Sequence, residues 1–360
     1  MRIAVCGAGV IGASLAWYLT RAGADVTLIE RYGPACAASG KSGGFLARDW
    51  CDGDALEALA RRSFDLHGEL AGRIDADWGY RPMTTYAGYA VPDDTFGPVA
   101  WTERVAITQR LGGPDTTAQV VPARFTDALV SDAVARGARH LTGTVDGIEA
   151  GSAGAVTGVR VDGAVLPFEA VVVAMGPWSI LAALWLPLPP VYGIKGHSLV
   201  FRTDDRLPAE ALFLECRDGE GEASPEIFPR PDGTTYVCAL SSQTPMPLDP
   251  TEVGPDPGAF ARLEAMCARL SPVLADSPVV ARQACYRPVS RDGRPLIGRI
   301  PGAPGAYIAT AHSVWGILNA PATGEAMAEL IETGRTTHVD LAPFDPGRLP
   351  TLDPSSLSIN

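Results

Sequence analysis

The sequence is poor in lysine. Lys41 and Lys195 are the only two, and the rest of its basic charge is arginine. With 41 acidic residues against 29 basic ones, the net charge is −12. So acidic a chain repels phosphodiester backbones and anionic bilayers, so neither nucleic acid nor a membrane is expected as a partner. Paired cysteines are also missing. Cys6, Cys36, Cys51, Cys216, Cys238, Cys267 and Cys285 form no Cys-x-x-Cys pair and no metal-ligand spacing, so neither a bound metal nor a redox dithiol is expected. An odd, scattered set reads as reduced thiols in a cytoplasmic protein. No unbroken apolar run reaches the ~20 residues of a membrane span; the charge-free stretch from Trp178 to Ile194 is interrupted by Pro187, Pro189 and Pro190. The apolar stretch after Arg2 is not expected to act as a secretory signal, because three glycines break it and no small-residue cleavage site follows. Internal repeats are absent as well.

What is present begins with Met1 to Arg31. Arg2 to Cys6 is a short apolar run, Gly7-Ala8-Gly9-Val10-Ile11-Gly12 follows, and a helical pattern runs through Ala16 and Leu19 to Gly23. A second apolar run, Asp25 to Ile29, ends on Glu30. Strand, glycine turn, helix, strand and terminal acid make a dinucleotide-binding βαβ unit. Gly7 permits the tight turn, Gly9 lets backbone approach a pyrophosphate, and Gly12 lets the helix lie close on the strand. The helix N-terminus offers free N–H groups and a positive dipole end to phosphates. Glu30 is placed to accept from ribose hydroxyls and would repel a 2′-phosphate. The sequence carries no second fingerprint of this kind.

Further along, Ala37 to Gly44 is a small-residue loop, either a flexible linker or a segment that wraps a cofactor. Asp54 to Ile74 reads as an amphipathic helix, Tyr80 to Val91 as extended chain, and Phe125 to Ala135 as a helix closed by Gly137. Gly143 to Ile148 and Val156 to Val161 read as strands. Phe168 to Gly176 is a continuous apolar run ending in Ala-x-Gly, the pattern of a buried parallel strand whose tip meets a ligand. From Val191 to Arg287 the alternating runs Ser198–Arg202, Glu226–Arg230 and Thr234–Leu240 predict antiparallel sheet, interrupted by a helix over Pro257–Leu270. A strand over Tyr307–Ala311, a helix over Thr323–Glu332 and a polar, proline-rich tail close the chain.

These stretches resemble the D-amino acid oxidase superfamily of flavoproteins, in the branch with glycine oxidase and monomeric sarcosine oxidase. Four matches carry the resemblance: Val5 to Glu30; Ala38-Ser39-Gly40-Lys41-Ser42-Gly43-Gly44; Val171 to Ser179; and Arg287-Pro288 with Asp292 to Gly298, His312, Gly316 to Leu318 and Ala320 to Gly324. The sequence is also similar to a group of FAD-dependent oxidoreductases without a known substrate, through the Ser-Gly-Lys-x-Gly-Gly loop and Trp-Gly-Ile-Leu-Asn. The resemblance implies FAD as cofactor. It places Gly7, Gly9, Val10, Ile11 and Gly12 at the pyrophosphate, Glu30 and Arg31 at the adenosine ribose, and Ser39 to Gly44 beside pyrophosphate and flavin. Val145 would meet the adenine, Ala174, Gly176 and Trp178 would flank the dinucleotide, and the amides of Gly316, Ile317 and Leu318 would face the flavin edge.

The resemblance also marks substrate-side residues. Arg287 stands where a carboxylate-binding arginine is found, although a structural ion pair would serve equally. Glu226 stands where glycine oxidase has a tyrosine; a carboxylate there competes for Arg287 or selects a cationic substrate. His312 is a candidate partner for cofactor or substrate, or a structural histidine, and Trp315 a cavity wall or simply core. Cys285 sits at the spacing of the cysteine that sarcosine oxidase joins to its flavin, so a covalent link is the alternative to non-covalent FAD. Val237 replaces the lysine that sarcosine oxidase uses toward oxygen, which leaves another electron acceptor open.

The expected fold is α/β: a Rossmann-like FAD-binding domain (residues 1–80, 120–190 and 286–345) interleaved with a mainly antiparallel substrate domain (81–119 and 191–285), then a tail over 346–360. The expected activity is oxidation of a C–N bond in a small amine or amino acid to an imine, with oxygen as acceptor. Tailoring of another metabolite, by secondary-amine oxidation or desaturation, is the enzymatic alternative, and a non-catalytic FAD-binding protein the other.

Overall fold

The computed structural model describes residues 1–93, 97–152 and 154–357. Its first sheet has six strands in the order Leu296–Arg299, Ala306–Thr310, Ala170–Val173, Arg2–Cys6, Asp25–Glu30, Arg139–Thr142. All pairs are parallel except the first. Alternate residues feed opposite faces, and both faces are covered. Ile3, Val5, Val26, Leu28, Val172 and Ala309 point into one core, while Ala4, Cys6, Ile29, Val171, Val173 and Ile308 point into the other. Burial on both sides is why these runs are continuously apolar.

The first core is closed by helices α1 (Val10–Arg21), α2 (Glu57–Ala71), α3 (Pro122–Ala135) and, from later in the chain, an eighteen-residue helix over Gly316–Thr333. Trp17 Nε1 donates to Asp132 Oδ2 at 2.7 Å and ties α1 to α3. The second core lies under the hairpin strands Val145–Ala150, Val156–Val161 and Ala164–Pro167.

The second sheet runs Val279–Val289, Tyr192–Arg202, Thr234–Ser242, Glu226–Pro229, Glu210–Asp218, Thr84–Ala90, Val105–Gly112, with Gly221–Ala223 paired to Glu210–Asp218. Its pairs are antiparallel apart from Glu210–Asp218 beside Thr84–Ala90. Helices α4 (Ala259–Leu270) and α5 (Pro272–Ala275) cover the face opposite the first sheet. With these placed, Gly316–Thr333 is α6.

Helix α6 and the end of the chain differ from the sequence expectation. Helix α6 starts at Gly316, a full two turns before Thr323, although Pro321 lies within it. Proline has no amide to give the Ile317 carbonyl. That oxygen is taken instead by His67 Nε2 of α2, at 3.0 Å from Ile317 O and 3.2 Å from Leu318 O. Through residue 357, the stretch read as a polar tail is packed. Leu349, Leu352 and Leu357 lie against the second core, Leu352 N donates to Leu188 O at 2.8 Å, and Arg348 binds Asp292 through both oxygens at 2.8 and 2.9 Å.

Candidate active site

Two cavities meet at the carboxyl edge of the first sheet. The larger, about 460 Å³, lies between that edge and the inner face of the second sheet. The smaller, about 170 Å³, lies beyond the tips of Arg2–Cys6 and Asp25–Glu30. Gly9, Ala38, Ser39, Ala174 and Gly176 line both, so the two form one elongated trough.

The glycine turn is built as the spacing predicts. Gly7 has φ +106°, and a Cβ there would stand 2.5 Å from Ala174 O; at Gly12 it would stand 1.9 Å from Gly7 O. Helix α1 therefore presses on the strand, and its first turn faces the trough with no acidic side chain in it. The Val10 amide donates to Ser39 Oγ at 2.9 Å, which fastens the small-residue loop over the helix start. Arg230 holds the other end of that loop, donating to Ser42 O at 2.8 Å, and the Phe228 ring fills the space a Gly43 side chain would need. The loop is therefore an ordered wall of the trough.

Glu30 lines the smaller cavity with Arg31, Val145 and Trp178. Its carboxylate also accepts from the Ala8 amide at 2.8 Å and the Arg31 amide at 2.8 Å, so it braces the glycine turn. At the other end of the trough, Gly316 and Ile317 open α6, again with no acid in its first turn. Two helix N-termini thus turn their positive dipole ends toward one trough. An elongated anionic dinucleotide fits this arrangement: phosphates at α1, a polar ring edge at α6, a ribose at Glu30. Gly12, Gly40, Gly44 and Leu318 lie behind the walls rather than on them.

The larger cavity gathers Arg287, Glu226, Lys41, Cys285 and His312. Arg287 and Cys285 come from one strand, and Cys238 and Glu226 from two others, cross-strand partners on the same face. Cys238 Sγ donates to Glu226 Oε2 at 3.5 Å. Burial holds the Glu226 carboxyl above its ordinary range, against the opposing pull of Cys238 and Arg287. No ion pair joins Glu226 to Arg287 among the described residues, and the Arg287 Nε has no partner, so both remain available to a ligand. Lys41 Nζ donates to Ala284 O at 3.2 Å. Burial pushes the Cys285 thiol up, with Lys41 and Arg287 opposing.

His312 is buried, with Nε2 3.0 Å from Thr323 Oγ1 and Nδ1 without a partner among the described residues. Burial lowers its pKa to about 3, so it is neutral. Trp315 does not line the cavity; it packs on the first core, its ring 6.4 Å from Trp50 and edge-on. Val237 faces away from the cavity into a separate core, while Tyr236 and Cys238 on either side face inward. The sequence reading missed Cys238, Tyr236 and Arg230. It also missed the left-handed backbone of Ala311 and Ser313, φ 62° and 51°, which flank His312. Strain of that kind in non-glycine residues gathers at ligand-contacting turns.

The chain matches the family described as FAD dependent oxidoreductase over residues 2–330. Glycine oxidase of Pseudomonas aeruginosa is 30% identical, over 97% of this chain and 99% of its own length. An oxidoreductase of Schizosaccharomyces pombe whose name carries no substrate, C1F5.03c, is also 30% identical, over 96% of this chain and 97% of its own. Among solved structures, glycine oxidase from Geobacillus kaustophilus superposes with a TM-score of 0.79, at 27% identity over 96% of this chain and 98% of that one. The chain belongs to the DAO family of FAD-dependent oxidoreductases.

Proposed function

We propose that this FAD-dependent oxidoreductase oxidises the C–N bond of a small amine or amino acid to an imine and passes the electrons to oxygen. One observation carries the reading: Arg287 and Glu226 stand in the same cavity as the first turn of α6 and the Ser39–Gly43 loop. A substrate held by those two side chains lies beside the space we assign to the flavin. The glycine oxidases among the relatives support the same class of chemistry.

When bound, FAD supplies the two-electron acceptor. The chain's own residues bind, orient and adjust protons. Arg287 offers a planar fork to a carboxylate. Glu226, a carboxylate with a raised affinity for protons, is placed to take the proton of a substrate ammonium, because the C–H bond gives up hydride readily only when the nitrogen is neutral. The amides of Gly316 and Ile317 would stabilise negative charge that develops on the ring edge. His312 stays neutral and serves as a hydrogen-bonding wall. We assign the flavin as non-covalent, since burial keeps the Cys285 thiol protonated and a link needs the thiolate. Flavin carried into the pellet by acid denaturation would overturn that assignment.

The test is the visible spectrum of purified protein, followed without oxygen while amines and amino acids are added. Bleaching of the oxidised-flavin bands by one of them supports C–N oxidation. Flavin bands that no amine bleaches would move the assignment to another metabolite or to a non-catalytic role.

A further inference from the structure

A long loop, residues 243–258, leaves the second sheet after Thr234–Ser242 and crosses to the first. Its middle lies over the smaller cavity. Asp249 Oδ2 accepts from Tyr32 OH at 2.5 Å and pairs with Arg31 Nη2 at 3.3 Å, directly after Glu30. Its other oxygen accepts from the Thr251 amide and hydroxyl at 2.8 and 2.6 Å, which fixes the carboxylate's orientation. Trp178 Nε1 donates to Pro247 O at 2.9 Å from the opposite bank. Between these fastenings, Leu248 and Pro250 form a wall of the cavity facing Gly7, Glu30 and Val145.

Leu248 is 45% exposed, its apolar surface shared between this cavity and the cleft on the far side of the loop, and a planar ring in the cavity would cover part of it. The loop is also fastened at both ends. Tyr286 OH donates to Pro245 O at 2.7 Å, the Asp256 amide donates to His197 Nε2 at 2.9 Å, and Lys195 Nζ binds Asp256 Oδ1 at 2.9 Å. His197 and Tyr286 belong to the sheet that forms the larger cavity.

We propose that residues 244–250 are a strap that closes the adenosine end of the dinucleotide site, with Asp249 as its latch and Leu248 as its contact with the adenine. The strap belongs to the second sheet, so retention of the cofactor depends on both halves of the molecule. Opening its middle exchanges the Tyr32 and Arg31 contacts and the Trp178–Pro247 hydrogen bond for water, and no part of the first sheet has to unfold. The proposal rests on the assignment of the smaller cavity to adenosine and is independent of which amine is oxidised.

The experiment follows FAD release from purified holoenzyme as the rise in flavin fluorescence after dilution into buffer without FAD. Asp249→Ala and Tyr32→Phe should each speed release about three- to tenfold, the loss expected for one or two hydrogen bonds at a partly exposed site. Tyr32→Phe keeps the test valid if the alanine variant folds poorly. Arg282→Ala, which breaks the distant pair with Glu264 at 2.7 Å, should release FAD at the wild-type rate. Release within twofold of wild type in both strap variants, or an equal acceleration in Arg282→Ala, would overturn the strap. Val145→Trp fills the smaller cavity and should weaken FAD retention; unchanged retention there would overturn the assignment of that cavity itself.

Discussion

Cys238 Sγ lies 3.5 Å from Glu226 Oε2, a neutral thiol donating to the one carboxylate that lines the larger cavity among the described residues. A thiol is a weak donor, so Glu226 is poorly compensated for the water it has lost. Its pKa is raised by that burial. The folded protein therefore holds this proton to higher pH than the unfolded chain does. The stability contributed is fully present below the ordinary carboxylate range and is lost as pH rises through the raised value. Glu226→Gln should match wild type in denaturant unfolding under acid conditions and exceed it near neutral pH. The same variant should weaken binding of cationic amines while leaving neutral carboxylic acids nearly unaffected. A variant less stable than wild type at neutral pH would mean that Glu226 is paired in a way the geometry does not show.

His67 and His312 have the opposite sign. Burial lowers them from 6.5 to about 4 and about 3, respectively. Both are neutral in the folded state, while the unfolded chain takes up their protons below pH 6.5. Their contribution is present above that pH and is lost as pH falls toward the folded values, at up to about 1.4 kcal/mol per pH unit for each histidine. His67→Gln should flatten the acid limb of the stability curve between pH 6 and 4 by one proton. It should also cost about 1–3 kcal/mol near neutral pH if the Ile317 and Leu318 carbonyls lose their donor. Ring-proton NMR should show neither histidine titrating between pH 5 and 8.

A Gly12 side chain would collide with backbone, not with a movable side chain, at 1.9 Å from Gly7 O. Gly12→Ala must therefore push α1 off the strand and tilt its first turn away from the trough. The expected result is loss of bound FAD together with about 1–3 kcal/mol of stability from overpacking. Flavin content per protein after gel filtration checks the first and chemical denaturation the second. Full flavin occupancy in the variant would show that the pyrophosphate does not depend on this approach.

The glycine fingerprint was legible because its function is written in backbone sterics, and sterics depend on residue type and spacing alone. The parallel strand before Ala174 was legible for a similar reason: burial on both faces leaves no room for polar residues. The start of α6 was not. Pro321 reads as a breaker, and the donor that compensates for it, His67, is 254 residues away in the chain. Contacts of that kind leave no local pattern. The same holds for the strap, where Asp249 meets Arg31 and Tyr32 across more than two hundred residues. Trp315 stayed open between cavity wall and core because a tryptophan beside a ligand turn fits both equally well, and it packs on the first core.

Arg287 offers the most direct test of substrate class. Its guanidinium faces the cavity, its Nε lacks a protein partner, and no carboxylate neutralises it within ion-pair distance among the described residues. A structural arginine would be paired. One kept for a ligand carboxylate is left like this, because the ligand supplies the missing charge. Arg287→Ala should then lower kcat/KM for a carboxylated substrate by about 2–4 kcal/mol, roughly 30- to 1000-fold, and should change it little for the amine lacking the carboxylate. Arg287→Lys should recover only part of the loss, since an ammonium cannot bind both oxygens in one plane. The comparison that decides is the ratio between the two substrates, not the activity on either. A variant equally impaired on both would make Arg287 a support for the cavity, and the carboxylate would have to be held elsewhere.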